Sequence, residues 1–304
     1  MEGRDNSIHI AIAFDRNFIT PFYVLLTSIF LSNGKHNIVF HTIAEDLEDS
    51  EKQRILNFVR QHNAAIFFYS LDKKIVQQFT LAKDSPHITA ATYYRLYFPE
   101  LIPPGIDYLL YLDTDIVVIG DIGKLYQTSL GNLPVGAVSD PKILRRPDLG
   151  IEKEGEYFNA GVLLINIKEW KLQEVTQRAA EFLINFPEKI ILADQDALNA
   201  ILAGVWYKLD KGYNITFYDV PRRIKEKQIE PFLKDKVIIH YTTQNKPWLL
   251  TCTNRLRNVY HYYLQKSPRA ASNKYIDEEL RNKYKYKLIK RRLKEFLIDI
   301  GVPI

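Results

Sequence analysis

The chain of 304 residues can bury a sizeable hydrophobic core, either as one large α/β domain or as two smaller ones. Hydrophobic residues make up 46% of it and charged residues 25%, which is typical of a soluble globular protein. The net charge of +5 comes from one segment, because Arg281–Lys294 holds eight basic residues and no acidic one; subtracting these eight charges from +5 leaves −3. This distribution argues against a nucleic-acid-binding body, which would carry its positive charge across a folded face.

The cysteine content and the first residues indicate the compartment. Cys252 is the single cysteine, so no internal disulfide is expected and a reducing environment fits. Residues 1–7 are polar and mixed in charge, unlike a signal peptide, and the nearby apolar stretch Pro21–Leu31 is too short to span a bilayer. We therefore expect a cytoplasmic protein.

The first part of the chain alternates apolar, strand-like runs with helical patterns. The predicted elements are strand Ile8–Phe14, helix Thr20–Ser32, strand Asn37–Ile43, helix Asp49–Gln61 and strand Ala65–Tyr69. This alternation predicts an α/β fold with a mostly parallel, doubly wound sheet flanked by helices. Such sheets bind ligands beyond the carboxyl ends of their strands, which is where Asp15 lies. No dinucleotide or P-loop glycine motif follows the first strand.

The central apolar run, Leu109–Val118, is interrupted by Asp113 and Asp115. Two carboxylates at the end of a core strand are costly to bury unless a cation pairs with them. An Asp-x-Asp motif of this kind can hold a divalent metal and, through it, the phosphates of a substrate. The alternative is an ordinary strand-to-turn exit, in which aspartate is common.

The remaining elements continue the alternation. They are a helix at Ile88–Pro99 that carries Arg95, a strand at Val135–Val138, a strand at Phe158–Ile167, helices at Lys168–Phe186 and Leu192–Ala203, and a strand at Val237–Ile239. The segment 141–156 is rich in Arg, Pro, Gly and Glu, and we expect a mobile loop that acts as a lid or contacts an acceptor. Asp194 and Asp196 fit the first turn of their helix, where acidic residues complement the macrodipole. A functional role is the alternative, because Gln195 lies between them at a turn.

Four stretches stand in the chain in this order: YLDTDIVV from Tyr111, FNAGVLLINIKEW from Phe158, ADQDALN from Ala193 and HYTTQNKPW from His240. Together they closely resemble the successive motifs of glycosyltransferase family 8, and most nearly those of bacterial lipopolysaccharide α-galactosyl- and α-glucosyltransferases. The resemblance covers about four-fifths of the chain. It implies a GT-A type, nucleotide-sugar-binding domain at 1–265, a basic tail at 266–304, and transfer of a hexose from a UDP-sugar with retention.

The resemblance assigns a metal site. Asp113 and Asp115 match the residues that bind manganese, and His240 matches the histidine that completes the set. Two carboxylates and an imidazole suit Mn²⁺ better than Mg²⁺, which remains the alternative ion. Lys246 matches a lysine that contacts the diphosphate. Thr114, which lies between the two acids, is also expected to bind the donor.

Other matching positions imply contacts with the donor and the acceptor. Asp15, Asn17 and Phe18 match residues that hold the uridine, although Phe18 replaces a tyrosine. At Thr243 the relatives often have glycine, so the approach of the backbone to phosphate is altered. Arg95 matches an arginine near the sugar and diphosphate. The residues matching the sugar and acceptor pocket are Asp140, Asn159, Asp194 and Gln195. The expected catalytic residues are Arg95, Asp194 and Gln195.

The tail Lys283–Gly301 combines basic and apolar residues and predicts an amphipathic helix on an anionic membrane surface. The alternative is a helix packed on the body. The resemblance implies an acceptor such as the lipopolysaccharide core or another lipid-linked saccharide at the inner face of the membrane.

Two other functions compete with the transferase. A phosphatase of the haloacid dehalogenase type would use Asp113 as nucleophile with Mg²⁺, but its motif lies close to the start of the chain, and it leaves HYTTQNKPW unexplained. A non-enzymatic sugar-binding protein would need no metal, and the presence of Asp113, Asp115, His240 and Lys246 disfavours it.

Overall fold

The computed structural model describes residues 7–72, 74, 75, 79 and 90–302. These residues form two compact units. The first consists of the described parts of Met1–Ile19, Asn33–Thr114 and Ile122–Lys211, and the second of those of Thr20–Ser32, Asp115–Asp121 and Gly212–Ile304. Residues 1–6, on which the signal-peptide expectation rests, and the first two residues of the predicted helix Ile88–Pro99 lie outside the described part. The division at residue 265 stays a prediction.

The first unit is built on a seven-stranded sheet. Its strands are β1 (Ile8–Asp15), β2 (Ile38–Glu45), β3 (Ala65–Tyr69), β4 (Tyr108–Leu112), β6 (Val135–Ser139), β7 (Phe158–Asn166) and β8 (Tyr207–Lys208), in the spatial order β3-β2-β1-β4-β7-β6-β8. The strands β3, β2, β1 and β4 pair in parallel, whereas β7 runs antiparallel to both β4 and β6. The predicted α/β fold with a mostly parallel sheet is therefore confirmed.

Helices flank this sheet in the first unit. They are α2 (Asp49–Gln61), α3 (Phe98–Leu101), α4 (Gly123–Tyr126), α5 (Ile167–Leu172), α6 (Val175–Asn185) and α7 (Asp194–Ile201), with a 3-10 helix at Ala90–Leu96 that carries Arg95. Every residue of β1 and β7 is buried, as their continuous apolar sequences predict for strands covered on both faces. The predicted helix Lys168–Phe186 is wrong as a single element, because Glu174 takes a left-handed conformation (φ 52°) between α5 and α6.

The apolar run Leu109–Val118 is divided at Asp113 and Asp115, as its interruption by these residues predicted. Strand β4 ends at Leu112, and β5 (Ile116–Val118) belongs to a two-stranded antiparallel sheet with β9 (Ile238–His240) in the second unit. The intervening Asp-Thr-Asp forms a turn that backbone bonds secure on both sides: the Asp113 N–H donates to Gly161 O at 2.8 Å, and the Tyr241 N–H donates to Asp115 O at 2.9 Å.

The second unit also contains most of α1 (Ile19–Asn33), with α8 (Glu226–Leu233), α9 (Arg257–Lys266) and α10 (Arg281–Ile300). One face of α10 packs on this unit, because Leu288 and Ile298 are buried. Ion pairs join Arg255 to Asp299 at 2.5 Å and Arg257 to Glu295 at 2.8 Å. None of the helices in the described ranges combines the length and the hydrophobicity that crossing a bilayer would require.

The segment 141–156, which the sequence predicts to be a mobile loop and a candidate lid, makes specific contacts within the first unit. It contains a 3-10 helix at Pro147–Leu149 and a backbone bridge between Arg146 and Ile151. Leu149 and Ile151 are buried in one cluster with Tyr157. These contacts fasten the segment to the first unit.

Buried histidines in the sheet predict a loss of stability in acid. His41 Nε2 lies 2.9 Å from His9 Nδ1, and His41 Nδ1 lies 2.8 Å from the Tyr69 hydroxyl. Burial, and secondarily the charge of His9, lowers the pKa of His41 from 6.5 to about 4. Above pH 6.5 His41 is neutral in both states; between pH 6.5 and 4 only the unfolded chain binds the proton, so stability falls as pH falls.

We expect His41→Gln to flatten this decline, removing on the order of 2 kcal/mol of the pH-dependent change in unfolding free energy. Urea unfolding at pH 7, 6, 5 and 4 measures it. The exposed His62→Gln is the matched control and should keep the wild-type slope. Identical slopes in all three proteins would contradict the prediction.

Candidate active site

In the second unit, Asp115, His240 and Lys246 form a polar cluster, in which His240 and Lys246 are buried and Asp115 is half-buried. The pairing of β5 with β9 places Ile116 opposite His240, which brings Asp115 beside the imidazole. His240 Nε2 lies 3.1 Å from Asp115 Oδ1, and the Lys246 ammonium forms an ion pair with Asp115 Oδ2. Lys246 also donates to Tyr241 O at 2.8 Å. Thus three predicted donor-site residues meet although 125 residues separate the first two in sequence.

The surroundings of His240 fit a bound cation. Its Nδ1 lies 3.1 Å from the Asn214 side-chain oxygen, an acceptor, which favours the tautomer with the proton on Nδ1. Nε2 then presents a lone pair toward the Asp115 carboxylate, and two acceptors face each other. A bound metal ion would remove this conflict, and an outer hydrogen bond from the second ring nitrogen is usual for metal-binding histidines. Burial opposes ionisation of Asp115, but the charge of the Lys246 ammonium holds its pKa well below the usual range.

In the first unit, Arg95 links two acidic residues. Its Nη2 lies 3.1 Å from Asp113 Oδ1, and its Nε lies 2.8 Å from Asp194 Oδ2. Asp113 also accepts a hydrogen bond of 2.9 Å from the Tyr111 hydroxyl. Burial raises the pKa of Asp194 to about 7, although the charge of Arg95 acts in the opposite direction. Arg95 is buried, so its ion pairs are not those of an ordinary surface arginine.

Four further predicted residues lie together around β7 and the start of α7. Asn159 Nδ2 donates to Asp140 Oδ2 at 3.2 Å, and Gln195 Nε2 lies 3.5 Å from the same oxygen. Gln195 Oε1 accepts from the Ala160 N–H at 2.9 Å. Asp194, the fourth, precedes Gln195 and is itself buried. Asp140, Asn159 and Gln195 thus share one hydrogen-bonded region of the first unit, and Asp194 precedes Gln195 in sequence.

The other predicted donor-binding residues are at strand ends and turns. Asp15 ends β1, and its carboxylate accepts from the Asn17 N–H at 2.8 Å; the following Phe18 is half-buried. Thr114 donates to Ala13 O at 3.0 Å. Thr243 adopts φ 75°, a conformation that favours glycine, which agrees with the glycine expected there in relatives.

Sequence reasoning missed the network that supports Gln195. Asp196 is wholly buried and accepts hydrogen bonds from Arg146 Nη1 at 2.7 Å and from the Tyr157 hydroxyl at 2.6 Å. Its other oxygen accepts from two backbone N–H groups, those of Ile191 and Leu192, each at 2.6 Å. The helix-start interpretation of Asp196 was incomplete, because partners 39 and 50 positions away leave no local signal.

Comparison with known proteins identifies the class of the protein. Residues 9–252 match the family model Glycosyl transferase family 8, and the chain belongs to this family. The family assignment favours the transferase over the phosphatase alternative.

Several characterised proteins are similar over most of their length. General stress protein A of Bacillus subtilis (strain 168) is 28% identical, over 86% of this chain and 94% of that protein. Lipopolysaccharide 1,2-glucosyltransferase of Escherichia coli (strain K12) is also 28% identical, over 96% of this chain and 86% of that protein. The crystal structure of the galactosyltransferase LgtC with donor and acceptor sugar analogues superposes with a TM-score of 0.74 at 25% identity, covering 91% of this chain and 100% of that one. This likeness confirms the predicted GT-A type fold.

Proposed function

We propose that the protein is a retaining glycosyltransferase that moves a hexose, galactose or glucose, from a UDP-sugar to a saccharide acceptor. The observation that carries the proposal is the pairing of Asp115 with His240 at 3.1 Å, with the second ring nitrogen of His240 facing Asn214. Buried carboxylate and imidazole groups in this arrangement suit a divalent ion better than a purely structural contact.

The metal ligands proposed are Asp113, Asp115 and His240, with Mn²⁺ as the preferred ion and Mg²⁺ as the alternative. Asp113 and Asp115 come from a single Asp-Thr-Asp turn, so one short segment supplies both carboxylates. When bound, the ion neutralises the diphosphate and stabilises the negative charge of departing UDP.

The chain's own cations support the same step. Lys246 is a point charge that can bind diphosphate oxygens, and Arg95 stabilises the developing charge beside Asp113. For the rest of the donor we propose that Asp15, Asn17 and Phe18 hold the uridine. Thr114 and Thr243 lie on the turns that we place near the diphosphate.

We propose that Asp140, Asn159, Asp194 and Gln195 bind the donor sugar and the acceptor. The Gln195 oxygen already accepts a hydrogen bond from Ala160, and an amide is a poor nucleophile. Attack of the acceptor hydroxyl on the same face as the leaving group is therefore preferred over a covalent intermediate at Gln195. The bond from the anomeric carbon to the acceptor oxygen forms, the bond to the phosphate oxygen breaks, and that phosphate oxygen takes the hydroxyl proton.

Metal-dependent donor hydrolysis is the test. Purified protein with UDP-galactose or UDP-glucose and no acceptor should release UDP slowly with Mn²⁺, lose this activity in EDTA, and regain it when Mn²⁺ is returned. Two controls are run: a reaction without protein, and a reaction in which UDP, a nucleotide without a sugar, replaces the UDP-sugar. Phosphate release from simple phosphoesters without release of UDP would refute the transferase and support the phosphatase.

The exposed face of α10 supports a lipid-linked acceptor, such as the lipopolysaccharide core, and a peripheral position on the cytoplasmic face of the membrane. Five apolar side chains on this face are between 55% and 76% exposed: Tyr286, Ile289, Leu293, Phe296 and Ile300. Their alternating spacing of three and four residues makes one continuous stripe. Basic residues flank it on both sides: Lys285 and Arg292 on one, Lys290 and Lys294 on the other. Such a helix can insert its stripe into an anionic surface.

We expect the protein to sediment with vesicles that contain anionic phospholipid and not with zwitterionic vesicles. Replacing Ile289, Leu293 and Phe296 together with serine should reduce the bound fraction at least about tenfold, because apolar burial contributes to this binding with the charges. The opposite face of α10, which carries Leu288 and Ile298, is untouched by these changes. Equal sedimentation of the variant and the wild type would contradict the membrane proposal.

A further inference from the structure

The side-chain amide of Gln195 is hydrogen-bonded at both of its ends. Its oxygen accepts from the Ala160 N–H at 2.9 Å, and its nitrogen donates to the Tyr157 hydroxyl at 3.2 Å. An amide flipped by 180° would place its NH₂ group against the Ala160 N–H and its oxygen against the phenol oxygen. The Ala160 N–H already disfavours the flipped amide, and so does Asp140 Oδ2, which lies 3.5 Å from the Gln195 nitrogen. The phenol adds to this selection only if its oxygen accepts and does not donate.

Asp196 imposes this condition on Tyr157. The phenol is wholly buried and donates its proton to Asp196 Oδ1 at 2.6 Å. Burial, reinforced by the negative charge of Asp196, raises the pKa of Tyr157 well above 10, so the hydroxyl keeps its proton. Because the carboxylate takes that proton, the phenol oxygen has only lone pairs to offer Gln195.

Asp196 cannot easily turn away from this role. Arg146 Nη1 donates to the same oxygen as Tyr157, at 2.7 Å, and the N–H groups of Ile191 and Leu192 hold the other oxygen. The carboxylate is 0% exposed, so water does not compete for it. The direction of donation along the hydrogen bonds that link Gln195, Tyr157 and Asp196 is thus fixed by the buried Asp196 carboxylate.

We propose that Tyr157 is a positioning residue that, together with the Ala160 N–H, sets which end of the Gln195 amide points toward the transferred sugar. This inference rests on the proposed function, which places Gln195 in the sugar pocket. Tyr157 acts through Gln195 and does not touch the substrate. Replacing its hydroxyl should therefore affect turnover more than donor binding.

The direct test is Tyr157→Phe, which retains the buried ring and removes only the hydroxyl. With glutamine side chains labelled with ¹⁵N, the Gln195 NH₂ signal is identified by its absence in Gln195→Ala. We expect this signal to shift in Tyr157→Phe and to stay in place in Tyr126→Phe, whose lost hydroxyl instead donates to Tyr108 O at 2.8 Å. An unshifted signal in Tyr157→Phe would overturn the inference whatever the protein catalyses.

Kinetics provide the second test. In Mn²⁺-dependent UDP release we expect Tyr157→Phe to lower kcat about tenfold and to leave the KM for the donor within about twofold, as loss of one orienting hydrogen bond predicts. In a Gln195→Ala background the same change should have no further effect. Additive losses, or full activity of Gln195→Ala, would overturn the inference. Absence of UDP release from the wild type would instead refute the proposed function and leave the amide signal to decide the role of Tyr157.

Discussion

Replacing Asp113 with asparagine is expected to lower Mn²⁺-dependent transfer about a thousandfold while the protein stays folded. The amide keeps the size of the side chain and an oxygen for the Tyr111 hydroxyl, but it removes one of two negative charges proposed to hold the ion. Loss of a preorganised electrostatic group of this kind typically costs 10²–10³ in turnover, and a weakened metal site adds to it. Arg95 still has Asp194 at 2.8 Å, so no buried charge is left unpaired.

The measurement is UDP release at saturating Mn²⁺ together with the thermal unfolding midpoint. Asp210→Asn is the matched control, because Asp210 is an exposed acidic residue of the same unit and should keep full activity. Activity of Asp113→Asn near that of the control would remove Asp113 from the proposed metal ligands. A folding defect without loss of activity per folded molecule would have the same meaning.

Arg146→Met is expected to cause the largest loss of stability, about 3–5 kcal/mol in the free energy of unfolding. Arg146 is buried, donates to Asp196 at 2.7 Å, and makes two further hydrogen bonds to Asp148, at 2.9 and 2.7 Å. Removing one partner of a buried ion pair leaves the other charge without compensation, and this costs far more than the pair contributed. Asp196 would keep its backbone donors but lose its positive partner.

The neighbouring Arg145→Met provides the control. Arg145 is 60% exposed and pairs with an equally exposed Glu154 at 3.3 Å, an arrangement that contributes roughly 0–1 kcal/mol. Urea unfolding of both variants at pH 7 compares the same chemical change one residue apart. Equal losses would show that the buried network does not stabilise the fold as we describe.

Much of the fold follows from local sequence pattern. The apolar runs and helical periods of the first 70 residues predicted β1, β2, β3 and the helices between them within a few residues, because each pattern lies inside one element. The sequence indicated the position of the break between β4 and β5, because Asp113 and Asp115 interrupt the apolar run. No local signal indicated that the two halves of this run belong to different sheets. What divides it is the pairing of β5 with β9, which is more than 100 residues away in sequence.

The same limit applies to the candidate site. The motifs identified Asp115, His240 and Lys246, and the structure brings these three together. Tyr157, Asp196 and Arg146 escaped because each looks ordinary alone: an aromatic residue before a strand, an acid in a first helical turn, an arginine in a polar loop. Their role arises from burial and from mutual distances of less than 3 Å, which no spacing along the chain encodes.

The pairing of β5 with β9 means that the fold positions Asp115 and His240 before any ion binds. Backbone hydrogen bonds, not the ion, hold Asp115 beside His240, so folding itself meets the entropic cost of gathering these side chains. Zinc fingers behave differently, since their chains collapse only around the metal. A preparation stripped by a chelator should consequently stay folded, survive storage, and be recharged by simple addition of the ion.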